Sequence, residues 1–503
     1  MKSIRQNFGF LHKAGILMPI SSLPSPYGIG TFGRGAYDFV DFLSETRQSC
    51  WQVLPLNPTS YGDSPYQSPA SGAGNPYFID PELLVKQKLL TREELSKYRA
   101  PWATGRVDYG WLFERRYEML RLAYSRFDTA DRAFRAFCRK QADWLEDYAL
   151  FMALKVHYGY RPWTEWADDH RDYVIARLCK QEFAGEMGFW RWVQYEFTRQ
   201  WDAVRRYAHE KGITVIGDLP IYVAHDSVDV WRDTAQFELD GNYAPVNVAG
   251  CPPDGFSPDG QRWGNPLYRW SQMEADGFAW WIRRIRRCFD LYDILRIDHF
   301  RGFASYFAIP ACDQHAHRGV WQPAPGTRLF DTVEAAIPKT RIIAEDLGFI
   351  TPDVRELLAH TAFPGMKVLQ FAFYEEDSEF LPRTYESDNF VVYAGSHDSD
   401  CVKTWLANLE GEAKERMKAE MPHTRGQSRV WDVIEFGMRS RANLAIVPLQ
   451  DYLELTNDEG RMNTPAVAEG NWTWRVSPRY RTRRLESKIT DMTVRTKRAS
   501  KRS

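Results

Sequence analysis

The chain has 503 residues, of which 44% are hydrophobic and 26% are charged, and its formal net charge is -1. This composition predicts a globular protein, built either as one large domain with insertions or as two or three smaller domains. The near-neutral charge argues against a general nucleic-acid binder, which usually carries a basic excess.

Cysteine usage and hydropathy predict a cytoplasmic protein. The seven cysteines are odd in number and scattered without a C-x-x-C pair, which fits neither a disulfide framework nor a zinc site. His12 and Lys13 fall where a signal peptide needs an unbroken apolar core. No uncharged apolar run reaches the length that spans a membrane. We therefore expect a soluble protein of the reducing cytoplasm.

Eight short apolar, β-branched runs recur along the chain, and each is followed by polar residues. A nearly continuous apolar run between polar loops is typical of a strand buried on both faces of a parallel sheet. Helix-like segments such as TPDVRELLAHT, which begins at Thr351, lie between the later runs. This alternation predicts an α/β fold, a (β/α)8 TIM barrel with its chemistry at the carboxyl ends of the strands. The runs lie near residues 15, 50, 213, 292, 340, 366, 389 and 442.

The uneven spacing of these runs predicts one catalytic barrel domain over 1–503 with two insertions and no separate C-terminal β-sandwich. The charge-rich segment of about 82–200 has helical periodicity and exceeds the one helix that a barrel needs there, so we expect a helical insertion. The segment of about 225–285 is dense in Gly, Pro and Trp, which indicates an ordered functional loop. The basic end, about 490–503, is expected to be a disordered tail.

The stretch GIGTFG, with Gly28, Gly30 and Gly33, matches the G-x-G-x-x-G pattern of dinucleotide-binding folds. That pattern works only in a tight turn directly after a strand, and here SSLPSPY separates it from the apolar run. About 20 residues further on, Trp51 stands where an acidic ribose ligand is needed. We interpret the stretch as a glycine-rich loop and expect no nucleotide cofactor.

Four of the predicted strands end in an acidic residue: Asp218, Asp298, Glu345 and Asp398. Any one of them alone is best explained as a loop residue or a helix cap. Four acidic residues on one rim of a barrel are harder to explain as loop residues or helix caps, because burying a charge at the tip of an apolar strand is energetically costly. Either a metal ion or a polar substrate should lie among them.

Arg296 favours the polar substrate. It lies two residues before Asp298, so both side chains point to the same face of the strand, and the cation occupies the place of a metal. A neighbouring cation also keeps a carboxylate ionised at neutral pH. An ionised carboxylate that faces a protonatable one is the arrangement of glycosidases, in which one attacks the anomeric carbon and the other transfers protons. Glu345 is the better candidate for the acid/base.

At this point the chain resembles the 4-alpha-glucanotransferase (amylomaltase) family, a transferase branch of the alpha-amylase clan. The resemblance extends over about residues 13–476 and rests on many long motifs in the right order. It implies a (β/α)8 barrel with helical insertions, a retaining double-displacement mechanism and no cofactor or metal. The motifs are YGDSPYQSPASGAGNPYFID (61–80), IGDLPIYVAHDSVDVW (216–231), CPPDGFSPDGQRWGNPLY (251–268), RIDHFRG (296–302), IAEDLG (343–348), GMKVLQFAF (365–373), GSHDSD (395–400) and RMNTP (461–465).

The resemblance also implies roles for individual residues. Asp298 would be the nucleophile, Glu345 the acid/base, and Asp398 the third acid, which holds sugar hydroxyls and stabilises the transition state. Arg296 would position Asp298, and Tyr66 would stack on the donor ring. The substrate-binding residues that it implies are Tyr66, Asp218, Asp254, Gln261, Trp263, Arg296, His299, Asp346, His397 and Asn463.

Three departures from the family pattern bear on the acceptor and on the exclusion of water. Gly255 stands where the family usually has a tyrosine. Ser396 and Ser399 replace the usual Thr and Asn on either side of His397–Asp398. The loop Ala70–Ser71–Gly72 lacks the phenylalanine usual there. None of the departures removes a catalytic carboxylate.

The three acids do not by themselves distinguish transfer from hydrolysis, because both pass through the same covalent intermediate. An aromatic loop that excludes water, such as 251–268, favours transfer. We therefore predict transfer of alpha-1,4-glucan segments from a maltooligosaccharide to glucose or another 4-hydroxyl acceptor. The alternatives are an alpha-amylase-type hydrolase, a catalytically silent glycan-binding protein and, third, a metal-dependent barrel lyase or aldolase.

Overall fold

The strands of the central barrel form where the apolar runs predict them. A computed structural model of the chain describes residues 12–60, 62–101, 105–253, 259–467 and 469–500. The strands in these ranges are β1 (Lys13–Leu17), β2 (Cys50–Gln52), β3 (Thr214–Leu219), β4 (Asn247–Cys251), β5 (Gln261–Pro266), β6 (Ile294–Ile297), β7 (Ser305–Pro310), β8 (Val320–Pro323), β9 (Ile342–Ala344), β10 (Gly365–Val368), β11 (Phe390–Tyr393) and β12 (Leu444–Pro448).

Eight of these strands form a single parallel sheet in the order β10-β11-β12-β1-β2-β3-β6-β9. The sheet closes between its two edge strands, where the amide of Ala344 donates to the carbonyl of Pro364 at 2.9 Å. All eight predicted runs contribute one strand each, and the predicted (β/α)8 barrel is confirmed. Since every strand points the same way, the residues that follow them collect at one end of the barrel.

Glycine at position 217 allows a large side chain to pack close to the barrel. A Cβ there would lie 2.1 Å from the ring of Tyr292, so no other residue fits without displacing that ring. Tyr292 is buried, and its hydroxyl accepts a hydrogen bond from the amide of Leu56 at 3.0 Å. This packing fixes β3 just before Asp218, the first of the strand-end acids.

A second sheet stands beside the barrel, and the sequence patterns did not predict it. It is antiparallel, with the order β5-β4-β7-β8, and its two halves come from either side of β6. Strand β8 is exposed along its whole length, whereas β7 is apolar and buried over YFAI (306–309) but was not among the predicted strands. Strands β4 and β5 fall in the Gly- and Pro-rich span that was predicted to be a loop. The sheet occupies part of the span 225–285 that we expected to be a functional loop.

Helices surround the barrel and fill the span in which the helical insertion was predicted. Helices α2 to α9 lie between β2 and β3, and α9 continues without a break past residue 200, where the predicted insertion ends. The α-helices of the described residues are α1 (Arg34–Glu45), α2 (Pro81–Lys86), α3 (Arg92–Ser96), α4 (Tyr109–Tyr124), α5 (Arg132–Lys140), α6 (Ala142–His157), α7 (Asp168–Arg171), α8 (Tyr173–Leu178), α9 (Ala184–Glu210), α10 (Val228–Arg232), α11 (Trp270–Ala275), α12 (Ala279–Leu291), α13 (Gly326–Ala336), α14 (Pro352–Thr361), α15 (Val402–Asn408), α16 (Gly411–Glu420), α17 (Arg429–Arg439), α18 (Leu449–Tyr452), α19 (Asn457–Gly460) and α20 (Arg483–Arg495).

The basic end of the chain is ordered, and the expected disorder over 490–503 is wrong for residues 490–500. Helix α20 runs to Arg495, and Arg498 beyond it is fully buried. Its guanidinium donates to the backbone carbonyls of Met438, Lys13 and Ser440 at 2.6, 2.9 and 2.8 Å. A charge count cannot reveal such a site, because carbonyl oxygens carry no side-chain signature. Residues 501–503 lie outside the described ranges.

Within the described part of the chain, no helix has the length and apolar character needed to cross a membrane.

Candidate active site

The carboxyl ends of the barrel strands bring the predicted acids to one place. Asp218 is the second-last residue of β3, and Asp298 and Glu345 directly follow β6 and β9. Asp398 is reached through the short loop after β11. The negative charges of Asp218 and Asp398 both raise the pKa of Asp298, because the three carboxyl groups lie within electrostatic reach of one another.

Arg296 is the cation at the centre of this cluster, and its closest partner is Asp218. Its Nη1 donates to Asp218 Oδ1 and Oδ2 at 2.7 and 2.8 Å, and to Asp298 Oδ1 at 3.0 Å. The side chain is only 3% exposed. Asp218 also accepts a hydrogen bond from the hydroxyl of Tyr66 at 2.7 Å. Asp218 was predicted to bind sugar, but both of its carboxylate oxygens already accept hydrogen bonds from Arg296 or Tyr66.

The pKa of Asp298 is raised above its ordinary value. Burial raises it more than the charge of Arg296 lowers it, and the charge of Asp218 raises it further. We expected Arg296 to keep Asp298 ionised. That expectation is incomplete, because Arg296 is shared between Asp298 and Asp218. The proximity of Arg296 still makes Asp298 the more easily ionised member of the pair with Glu345, because no hydrogen bond or ion pair among the described residues joins Glu345 to a cation.

Glu345 is held by backbone amides. The amides of His299 and Leu347 donate to its two carboxylate oxygens at 2.7 and 2.9 Å. His299 has a left-handed backbone with φ of 50°, which turns its amide toward Glu345 directly after Asp298. Burial raises the pKa of Glu345, and although Arg296 opposes this, the charge of Asp298 adds to it. A buried carboxyl group that keeps its proton beside an ionised one is suited to general acid catalysis.

The pKa of Asp398 is lowered, whereas the pKa values of Asp298 and Glu345 are raised. Burial would raise its pKa, but His397 and Asn463 outweigh that effect and hold the pKa of Asp398 at about 2. His397 Nε2 lies 3.3 Å from Oδ2, and Asn463 Nδ2 donates to Oδ1 at 2.7 Å. Asp398 therefore stays ionised, with 42% of its side chain still open to solvent. It is placed to accept hydrogen bonds from sugar hydroxyls.

Aromatic rings line the cleft beside the acids. Tyr66 is stacked on the ring of His397, with centroids 5.2 Å apart and an interplanar angle of 14°. Trp472 packs against both of these rings at 5.4 and 6.0 Å. Sequence reasoning missed Trp472. The available signal was a tryptophan within the loop GNWTW, where packing in a core explains a large ring poorly.

The other wall of the cleft comes from the second sheet. The indole of Trp263 meets the imidazole of His299 edge to face, with centroids 4.8 Å apart, and its Nε1 donates to Gln261 Oε1 at 3.1 Å. Burial, and to a lesser degree the charge of Arg301, lowers the pKa of His299 to about 3, so its ring is neutral. His299 Nε2 is buried and has no hydrogen-bond partner among the described residues. Gln261, Trp263 and His299 therefore lie together, as predicted for substrate contact.

Of the predicted substrate-binding residues, Asp346 makes its hydrogen bond outside this cluster. Asp346 turns away from Glu345, and its Oδ1 accepts a hydrogen bond from the amide of Met366 at the start of β10, at 2.7 Å. One oxygen of this carboxylate therefore fixes the neighbouring strand, and the role of Asp346 in substrate binding stays a prediction. Asp254 and Gly255 lie outside the described residues.

In the described ranges, no group of three or more His, Cys, Asp or Glu side chains is arranged to hold a metal ion. The cation among the strand-end acids is Arg296.

The fold and this site together define a class of protein. Strand-end carboxyl groups of opposite ionisation, aromatic walls and a barrel scaffold are typical of (β/α)8 enzymes that act on glycosidic bonds. A sequence model of the family described as 4-alpha-glucanotransferase matches residues 18–481. The chain therefore belongs to the 4-alpha-glucanotransferase family, which confirms the resemblance read from its motifs.

Individual relatives support the same assignment. The 4-alpha-glucanotransferase of Clostridium butyricum is 43% identical over 484 residues, which cover 95% of this chain and 99% of that protein. The 4-alpha-glucanotransferase of Thermus thermophilus is 44% identical over 478 residues, covering 92% of this chain and 94% of that protein. The structure of the amylomaltase of Streptococcus agalactiae in complex with acarbose superimposes with a TM-score of 0.92 at 39% identity, covering 97% and 100% of the two chains.

Proposed function

We propose that this chain transfers alpha-1,4-glucan segments from a maltooligosaccharide donor to the 4-hydroxyl of glucose or of another glucan. The observation that carries the proposal is the pair Asp298 and Glu345. Burial raises the pKa of both carboxyl groups, and of these two only Asp298 forms an ion pair with Arg296 in the described structure. That asymmetry supplies one ionised and one protonated carboxyl group at neutral pH, which a retaining double displacement requires.

In the first step an oxygen of Asp298 attacks the anomeric carbon of the donor. The bond to the leaving oxygen breaks, and Glu345 gives its proton to that oxygen. The shortened glucan leaves with a free 4-hydroxyl, and its former partner remains bound to Asp298 as an ester. Arg296 keeps the attacking oxygen oriented through its 3.0 Å contact.

In the second step Glu345, now ionised, takes the proton of an acceptor 4-hydroxyl. The acceptor oxygen attacks the anomeric carbon, and the ester to Asp298 breaks. Two inversions at one carbon retain its configuration. Asp398, ionised in the described geometry, holds ring hydroxyls and favours the positive charge that develops at the anomeric carbon in both transition states.

Ser396 and Ser399, which differ from the usual family residues, lie on either side of His397 and Asp398. Their contacts support a role in holding the loop that carries Asp398. Ser396 Oγ accepts a hydrogen bond from the amide of Asp398 at 3.2 Å and lies 3.1 Å from Ser399 Oγ. The small hydroxyls therefore hold the loop that carries the third acid, and their substitution is compatible with catalysis.

The choice between transfer and hydrolysis depends on which acceptor reaches the ester. Trp263 and Gln261 on β5 offer an apolar ring and an amide at the mouth of the cleft, a surface suited to a sugar rather than to water. Incubation with maltotriose tests the proposal. We expect glucose together with a ladder of longer oligomers and a constant number of reducing ends. A rise of reducing ends in step with consumption would mean an alpha-amylase-type hydrolase.

The Asp298→Asn variant provides the control for the nucleophile. It keeps the size of the side chain but replaces the nucleophilic carboxylate with a neutral amide, so turnover of maltotriose should fall to background. A substantially active variant would contradict the assignment. Glycan binding without product in the unmodified chain would identify a silent glycan-binding protein instead.

We also propose that the protein works in a reducing compartment, the cytoplasm. All seven cysteines lie in the described residues, and no disulfide joins any two of them.

A further inference from the structure

A second pocket opens outside the cluster of strand-end acids. It lies between α12, α6, α10 and the loop 70–73, and its cavity volume is about 140 Å³. A single bound water needs about 10–15 Å³ of such volume, so the pocket has room for a ligand much larger than one water molecule. None of its lining residues is one of the predicted catalytic or substrate-binding residues, so the proposed reaction does not account for it.

The pocket exists where the loop 70–73 is made of small residues. Ala70, Ser71 and Gly72 stand here without the phenylalanine usual in the family. A Cβ on Gly72 would lie 3.5 Å from Cγ of Arg287 and within 4 Å of nothing else, so the glycine faces open space beside that arginine. The loop is itself held firmly, because Asp229 accepts hydrogen bonds from both the amide and the hydroxyl of Ser71 at 2.8 and 2.6 Å. The pocket is therefore a fixed feature of this chain.

Arg287 is the group in this pocket that points to a ligand. Its side chain is only 8% exposed, and its guanidinium lies over the ring of Trp144 at 4.4 Å. Nε donates to the carbonyl of Gly72 at 2.8 Å, and Nη1 lies 3.5 Å from Asp290. Nη2 is buried and has no hydrogen-bond partner among the described residues. A buried donor of this kind is costly unless something in the pocket accepts from it.

The balance of charges among the residues that line the pocket indicates what kind of ligand it binds. Five arginines and five aspartates line the pocket, so their formal charges cancel. Arg232 and Arg283 are already paired with Asp147 and Asp233, at 3.1 and 3.3 Å. A free anion would meet as many carboxylates as guanidiniums. A neutral molecule with neighbouring hydroxyl groups fits better, because each hydroxyl accepts from a guanidinium and donates to a carboxylate at once.

From this geometry we infer that the pocket is a second carbohydrate site, which binds a glucosyl unit of an alpha-glucan. Arg287 Nη2 donates to one ring hydroxyl, and Asp290, beside it on α12 and half exposed, accepts from the next. The half-buried ring of Trp144 in the lining supplies apolar surface for the C–H face of the sugar. The choice of glucose as the sugar rests on the proposed function, whereas the polar, neutral character of the pocket does not.

Binding of maltose to three proteins tests the inference. All three carry Asp298→Asn, so that no turnover occurs, and they differ only at position 72: glycine, Gly72→Ala and Gly72→Phe. The phenylalanine fills the pocket, whereas the alanine methyl group stays at ordinary contact distance. Calorimetric titration should show two binding events for the glycine and alanine forms. Gly72→Phe should weaken one event by at least about ten-fold and leave the other unchanged.

Three further measurements make the outcome decisive. Crystals soaked with maltose should show a sugar within hydrogen-bond distance of Arg287 Nη2. Gly72→Phe should unfold in urea at the same midpoint as the unmodified chain, which shows that it folds. A single binding event in the glycine form, an unchanged second event in Gly72→Phe, or binding of inorganic phosphate that Gly72→Phe abolishes would each overturn the inference. Loss of the catalytic-site event alone would instead count against the proposed function.

Discussion

Two buried arginines lie at opposite ends of the barrel, and they are held in different ways. Arg296, at the carboxyl ends of the strands, is bound by the carboxylates of Asp218 and Asp298. Arg498, at the amino ends, is bound by three backbone carbonyls and forms no ion pair in the described structure. Although burial opposes the charge, the two carboxylates raise the pKa of Arg296 well above its usual value. Burial lowers the pKa of Arg498 to about 9.

The difference shows what each charge does. At the carboxyl end, the cation balances acids that would otherwise repel one another, and so it sets which of them is ionised. At the amino end, the guanidinium satisfies carbonyls that the end of the barrel leaves without donors. One arginine therefore belongs to the chemistry of the site and the other to the stability of the fold, although both are almost fully buried.

Removal of the catalytic-end cation should have the largest effect. Arg296→Met leaves Asp218 and Asp298 buried without a counter-charge, which costs about 3–5 kcal/mol and also displaces the nucleophile. We expect kcat/KM for maltotriose to fall by at least about 1,000-fold. Glucose release measures this, and Arg296→Lys is the control, since it restores the charge without the fork of donors. A methionine variant with near-normal kcat/KM would break the comparison.

Removal of the structural arginine should affect stability and leave catalysis intact. Arg498→Met orphans the carbonyls of Lys13, Met438 and Ser440, and we expect the free energy of unfolding to fall by about 3 kcal/mol. Urea unfolding followed by tryptophan fluorescence measures this. The kcat of the folded fraction should stay within about two-fold of the unmodified chain. A large fall in kcat at unchanged stability would mean that the two arginines do not differ as described.

The pH dependence of the reaction gives a finer test of the same difference. Glu345 must be protonated to act, and its pKa is raised by burial and by the charge of Asp298. Activity should therefore persist at pH values above the ordinary titration of a glutamic acid and fall as the pH rises through the raised pKa of Glu345. With an alpha-glucosyl fluoride donor, whose leaving group needs no proton, this basic limb should weaken or vanish.

Arg498→Met should leave the same profile unmoved, because no carboxylate contacts that guanidinium in the described structure. Identical basic limbs for maltotriose and the fluoride would contradict the role of Glu345. A shifted limb in the Arg498 variant would contradict the separation of the two ends.

Sequence patterns were sufficient for the barrel and for the positions of its acids, for a physical reason. Strands buried on both faces must be apolar throughout, so each one stands out, and the acids that follow them must meet at one rim. The partners of those acids were harder to predict. Arg296 was assigned to Asp298 from two-residue alternation, but nothing along the chain shows that Asp218, 78 residues away, has the shorter contact.

Other features depended on signals that are weak or were not used. Asp346 was predicted to bind substrate beside Glu345, and nothing in the sequence indicates that its Oδ1 accepts a hydrogen bond from the amide of Met366. In the second sheet, β5 is largely half-exposed and β8 is fully exposed, so neither shows the apolar pattern of a buried strand. Arg498 lies in a run of basic residues that resembles a solvated tail, because its carbonyl partners are invisible in the sequence.

The central claim is that Asp298 forms a covalent bond to the sugar while Glu345 transfers the protons. The most direct test is to react the Glu345→Gln variant with an alpha-glucosyl fluoride and to map the protein by peptide mass spectrometry. Fluoride leaves without acid assistance, and the missing base slows the second step, so the intermediate should accumulate. We predict one hexosyl group on the peptide that contains Asp298. A modified peptide containing Asp218 or Asp398 instead, or turnover with no protein adduct in the burst phase, would contradict the account.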